Sequence, residues 1–170
     1  IQREIDLRSD DPNAVETVAE IIEQLASKHE VIHIAQTAYV RTLWENAGRV
    51  GDFNTFFKEF YAQNAPRLLT PEADEIAAKI YGEEAWNAIT DPGLKAAEFV
   101  RMLVEAKIDG NNQAFGELFR AIKDKSVIAQ IIEAALQALR SMTLTPAVAD
   151  HVTKIEELYR ELTTDSGQKS

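Results

Sequence analysis

No cysteine occurs in the 170 residues, which removes disulfides, thiolate metal sites and cysteine nucleophiles together. The compartment stays open on this count, with a soluble, cytoplasmic protein the favoured expectation. Long apolar runs are missing too. None approaches the roughly 20 residues that a helix needs to span a bilayer, and no positively charged start leads into the apolar block of a signal peptide. Glycine is scarce, at seven residues, and none sits in a phosphate-cradling loop or a G-x-S-x-G turn. Basic charge is in deficit: 28 acidic against 18 basic residues leave a formal net charge of -10. That balance argues against nucleic acid as a partner, because such binding draws on Lys and Arg at the phosphates.

What is present reads as one globular, all-α domain. A hydrophobic content of 45% beside 27% charged residues is ordinary, and the chain is long enough to bury a core. Of the five prolines, four follow a capping residue and precede a periodic apolar run: Asp11-Pro12, Thr70-Pro71, Asp91-Pro92 and Thr145-Pro146. An Asp or Thr oxygen accepts from the orphan N-H groups of a helix start, and proline tolerates the first helical position because it has no N-H to waste.

These starts predict six to eight helices arranged as a bundle or orthogonal array. Residues 1-10 show no helical stripe and read as a flexible lead-in. A long first helix runs from Pro12 to Ala47 and serves as the spine, with Val15, Val18, Ile22, Leu25, Ile32, Val40 and Leu43 in one band. The second covers Asp52 to Asn64, ahead of a break at Pro66, and the third covers Pro71 to Tyr81 with Gly82 as its cap. A short piece spans Glu83 to Ile89. Further helices cover Pro92 to Ile108 and Asn111 to Lys123, then one capped by Ser126 whose broad apolar arc makes it central. The last covers Pro146 to Leu162. The domain thus spans 11-162, and the polar residues 163-170 form a frayed tail. A shift of 75 positions lays Leu69-Thr70-Pro71 on Leu144-Thr145-Pro146, so 51-81 and 126-156 are candidate copies of one helix-turn-helix unit.

One stretch carries the residue types of metal chemistry. His29-Glu30-Val31-Ile32-His33 matches H-E-x-x-H and, with Gln36, resembles the active-site helix of zincin metallopeptidases. Positions i and i+4 lie one turn apart, so both imidazoles reach one ion. The resemblance implies Zn²⁺ on His29 and His33, with Glu30 as general base. On the wheel drawn over the whole first helix, His29 falls near the centre of the apolar band and is expected to face the core, with His33 at its edge. His151, near the start of the last helix, is a candidate third imidazole. No strand accompanies the motif to line a substrate cleft, and the preferred reading is a polar patch of His29, His33 and Gln36 between helices.

Two other features invite a functional reading. Phe53, Phe56, Phe57, Phe60 and Tyr61 form a dense aromatic face, which packs a core or roofs a pocket for a small apolar ligand. Trp86, on a short helix, is a candidate anchor for a partner. With no assembled catalytic constellation, the reading leans away from an enzyme. It favours a helical protein-protein interaction or regulatory module, with a protein partner and a second copy of the chain as candidate occupants. A metal-binding protein or zincin-like hydrolase on His29 and His33, and the apolar ligand binder, are the alternatives.

Overall fold

Capping residues punctuate the backbone much as the sequence foretells. The computed structural model describes the backbone of residues 12-168 and the side chains of 27-164. The expected lead-in and the Asp11 cap lie outside the described residues. Eight helices and no strand occur among them, so the chain is all-α. They are α1 (Pro12–Asn46), α2 (Phe53–Leu68), α3 (Pro71–Tyr81), α4 (Glu83–Ala88), α5 (Pro92–Asp109), α6 (Asn112–Arg120), α7 (Lys125–Arg140) and α8 (Pro146–Gln168).

The Thr-Pro and Asp-Pro starts work as side-chain caps. Thr70 Oγ1 accepts from the Ala73 N-H at 3.1 Å, Asp91 Oδ1 from Gly93 at 2.8 Å and Thr145 Oγ1 from Val148 at 3.3 Å. Each satisfies one of the donors that a helix start leaves orphaned. At the other ends, Gly82 and Gly110 take φ of 107° and 72°, a region that a side chain disfavours.

Besides shifts of one residue, and the end of α6 at Arg120 rather than Lys123, three boundaries differ from the sequence reading. Pro66 does not end α2, which runs on to Leu68. The proline sits in the last turn, Leu69 N-H closes on Ala65 O at 2.7 Å, and the fully buried Leu68 holds the turn against the core. The cap of α7 is Asp124, which accepts from the Ser126 N-H at 3.1 Å, rather than Ser126 itself. The α8 helix continues to Gln168, beyond Leu162.

Two helices organise the interior. Along α5, Ala96, Phe99, Val100, Leu103 and Val104 are fully buried, and this helix packs on α1, α2, α6 and α8. Along α7, Ile128, Ile131, Ile132 and Ala135 are equally buried, against α1 and α8. Each of the Val, Leu, Ile and Phe side chains among them contributes about 1.5–3 kcal/mol through removal from water. The α1 helix lies against both, so it touches most of the bundle. At the crossing of α2 and α5 the backbones approach closely: a Cβ placed on Gly93 would collide with the carbonyl oxygen of Lys58. Segments 51-81 and 126-156 share an order of elements, a 16-residue helix and then one opened by Thr-Pro. Their packing differs, since α7 lies along α8 while α2 lies along α5 and α3 along α4 and α6.

Candidate functional site

The outer face of α5 forms the floor of a cleft. On it stand Glu98, Arg101 and Glu105 at spacings of three and four, which brings their side chains together on one side of a helix. Arg101 Nε donates to Glu98 at 2.7 Å and its Nη1 to Glu105 at 2.6 Å. From α1, Lys28 Nζ reaches Asp109 at 2.8 Å and Glu105 at 3.3 Å. The result is a chain of alternating charge, Glu98, Arg101, Glu105, Lys28, Asp109, that ties α1 to α5. Burial works against the charge on Lys28, but the carboxylates of Asp109 and Glu105 outweigh it and hold the ammonium above the usual lysine range. Arg101 is held up in the same way by Glu98 and Glu105 against its own desolvation.

Three hollows adjoin along this floor. One of about 260 Å³ is lined by Lys28, His29, Ile32, His33, Gln36, Arg101 and Glu105. A second, of about 360 Å³, shares Arg101 and Glu105 with it and extends over Met102 and Ala106 to Ile80 and Tyr81 of α3 and Leu118 of α6. The third, of about 300 Å³, shares Gln36 with the first and Tyr81 with the second, and is completed by Phe57, Ile89, Leu94, Ala97 and Glu98. Ile80 on the second hollow and Leu94 on the third are 39% and 38% exposed, large hydrophobic side chains left facing water.

Beneath Gln36 the cleft is stitched. Gln36 Nε2 donates to Ala97 O at 2.8 Å, and the Tyr61 hydroxyl donates to Gln36 O at 2.7 Å, so α1, α2 and α5 are joined through one residue. Tyr61 is fully buried, and desolvation pushes its hydroxyl far above the normal tyrosine range. It is a permanent donor here.

The histidines stand differently from the sequence expectation. His29 is exposed rather than directed into the core, and so is His33. The apolar band that placed His29 inward averages over the whole of α1. In the part with described side chains, the buried face runs through Ser27, Val31 and Ala35, with Ile32 beside them. Both histidines lie two positions from Val31, about 160° round the helix from it. The expected inward direction of His29 is therefore not seen, although His29, His33 and Gln36 do line one hollow between α1 and α5 and Gln36 makes the interhelical bond. His151 does not complete a three-histidine cluster: among the described residues no group of three His, Cys, Asp or Glu side chains is placed to hold a metal ion. Among the described residues its Nε2 is buried without a hydrogen-bond partner. Burial pushes the imidazole below its usual range, nearby Lys28 adds to this, and Asp150 and Asp109 oppose it.

The aromatic face packs as a continuous ladder between the end of α1 and α2. It runs from Trp44 onto Phe53 at 5.3 Å between ring centroids, then to Phe57 at 6.3 Å and Tyr61 at 4.9 Å.

 Phe60 joins from the side, on Tyr61 at 5.1 Å and on Tyr39 at 5.8 Å. Phe53, Phe56, Phe57 and Phe60 are half-buried, and Arg41 covers the Phe53 ring at 4.4 Å. Phe57 alone of these five is among the residues lining the three hollows. Trp86 is fully buried, with its indole N-H on Asp74 Oδ1 at 2.8 Å and its ring against Tyr81. Its surface is spent inside the chain, so it presents no anchor to a partner.

The charged row on α5 went unnoticed in the sequence, although Glu98-x-x-Arg101-x-x-x-Glu105 carries the spacing that would have found it. Comparison with known families, with curated proteins and with solved structures finds no match to this chain.

Proposed function

We propose that the chain is a non-enzymatic protein-interaction module whose docking surface is the cleft over α5. The observation that carries this reading is the adjacency of three hollows on one face, rimmed by the exposed Ile80 and Leu94. Concave surfaces that combine apolar rims with fixed polar groups suit a short amphipathic segment, whose apolar side chains enter successive hollows. The cleft carries three carboxylates, Glu98, Glu105 and Asp109, against the two cations Lys28 and Arg101. With the chain's net charge of -10, this favours a partner segment bearing basic side chains.

The test immobilises the chain and quantifies what it retains from a lysate of its source cells. Three forms are compared: the unaltered chain, Ile80→Glu/Leu94→Glu, and Met142→Glu, which changes an exposed hydrophobic residue in the α7–α8 connection. The same protein should be enriched on the unaltered chain and on Met142→Glu. The cleft variant should bind it with affinity lower by about 2 kcal/mol or more, roughly thirtyfold. Equal retention by all three forms, with each shown to be folded by its helical circular dichroism, would refute the docking surface.

A further inference from the structure

Beyond that reading, we infer that His29 and His33 form a two-imidazole clamp for a divalent transition-metal ion on the exposed face of α1 that lines the first hollow. The two side chains are four residues apart on a continuous helix, are both exposed, and line the same hollow. Residues at this spacing lie on one face, one turn apart, within reach of a common ion. Among the described residues neither imidazole is engaged in a hydrogen bond or an ion pair, so ligation displaces no internal partner. Exposure also means that the ion need not shed its whole water shell or find a path through the core. The clamp supplies two nitrogens and no third His, Cys, Asp or Glu joins them among the described residues, so the other coordination positions belong to water.

The ligand class follows from the donors. Two imidazole nitrogens suit Cu²⁺, Ni²⁺ and Zn²⁺, with Cu²⁺ bound most tightly, and give little hold on Mg²⁺ or Ca²⁺, which demand oxygen ligands. The nearby cations do not forbid a metal ion, because Lys28 and Arg101 are each paired with carboxylates.

The test titrates the full chain with Cu²⁺, Ni²⁺, Zn²⁺ and Mg²⁺ in separate calorimetric experiments. One Cu²⁺ should bind per chain with the highest affinity, and Mg²⁺ should give no signal. His29→Gln or His33→Gln should each weaken binding about tenfold or more, because the second ligand on the same turn acts at high effective concentration. His151→Gln should leave binding unchanged. A spacing control, His33→Gln with Glu30→His, keeps the number of imidazoles but places two of them on neighbouring positions about 100° apart; it should bind no better than the single variants. Undiminished binding in either single variant, full affinity in the spacing control, or loss of the site in His151→Gln would each overturn the clamp. Circular dichroism at the same metal-free conditions confirms that each variant retains its helices.

Discussion

A single methyl group at Gly93 tests the close crossing of α2 and α5. Helix propensity alone predicts that Gly93→Ala stabilises the chain, since alanine inside a helix is worth roughly 0.5–1 kcal/mol more than glycine. At this position the new Cβ meets the Lys58 carbonyl oxygen, with the Ala62 nitrogen and Asp91 Oδ1 each at 3.1 Å. Two of these three atoms are backbone and the third holds the cap of α5, so none moves freely. The helices must separate or the cap must yield, and overpacking of this kind costs about 1–3 kcal/mol. Because the residue lies in the first turn, the propensity gain is small there, and the collision decides the sign. For a chain of this length 1 kcal/mol corresponds to about 2–4 °C in Tm, so Gly93→Ala should melt roughly 2–12 °C below the unaltered chain. Gly116→Ala supplies the opposite case. In the interior of α6 its Cβ would meet the end of the Arg120 side chain at 3.2 Å, a group that can swing aside. That variant should melt about 1–4 °C higher. Differential scanning calorimetry reads both, and a Gly93→Ala protein as stable as the unaltered chain would refute the argument.

Three further outcomes follow from buried groups. Trp86→Phe removes the indole N-H that satisfies Asp74 and leaves part of the Trp86 volume empty, so stability measured by urea denaturation should fall by about 2–4 kcal/mol; a change below about 0.5 kcal/mol would contradict the burial. Tyr61→Phe keeps the ring and deletes one hydrogen bond to Gln36 O, and the same assay should register a loss of about 0.5–1.5 kcal/mol. For His151, the folded chain holds the imidazole below its ordinary value of 6.5, so the unfolded chain binds the proton more readily. Stability from this group is complete above about pH 6.5 and is lost as pH falls toward the folded value, the reverse of a histidine gaining an acidic partner. In His151→Gln this part of the pH dependence should vanish, and an unchanged slope across that window would exclude His151 as its source.

The legible parts of the sequence are those governed by neighbouring residues. Thr70-Pro71, Asp91-Pro92 and Thr145-Pro146 mark helix starts because the cap and the proline act within one turn. Gly82 and Gly110 mark ends for an equally local reason, their positive φ. Pro66 misled because a proline in a last turn forfeits little when tertiary contacts hold Leu68 inside. His29 misled for a different reason: the buried face of α1 is set by which helix lies against each part of it, and averaging along its length erases that. The charged cleft depends on Lys28 meeting Glu105 and Asp109 across a sequence gap of more than seventy positions, a contact that only the packed chain reveals.

The bond from Gln36 to Ala97, with that from Tyr61 to Gln36, acts on the freedom of the helices to move as well as on their stability. Apolar faces tolerate small slips past one another, since one methyl contact replaces another at little loss. A directional bond does not: sliding α1 along α5 by even part of a turn would strand the Gln36 amide and the Ala97 carbonyl in a partly buried place. The axial register of α1, α2 and α5 is therefore pinned at one level, as by a rivet through three plates. Sliding along the axis is thereby opposed at the middle of the cleft, where Gln36 lines both the first hollow and the third.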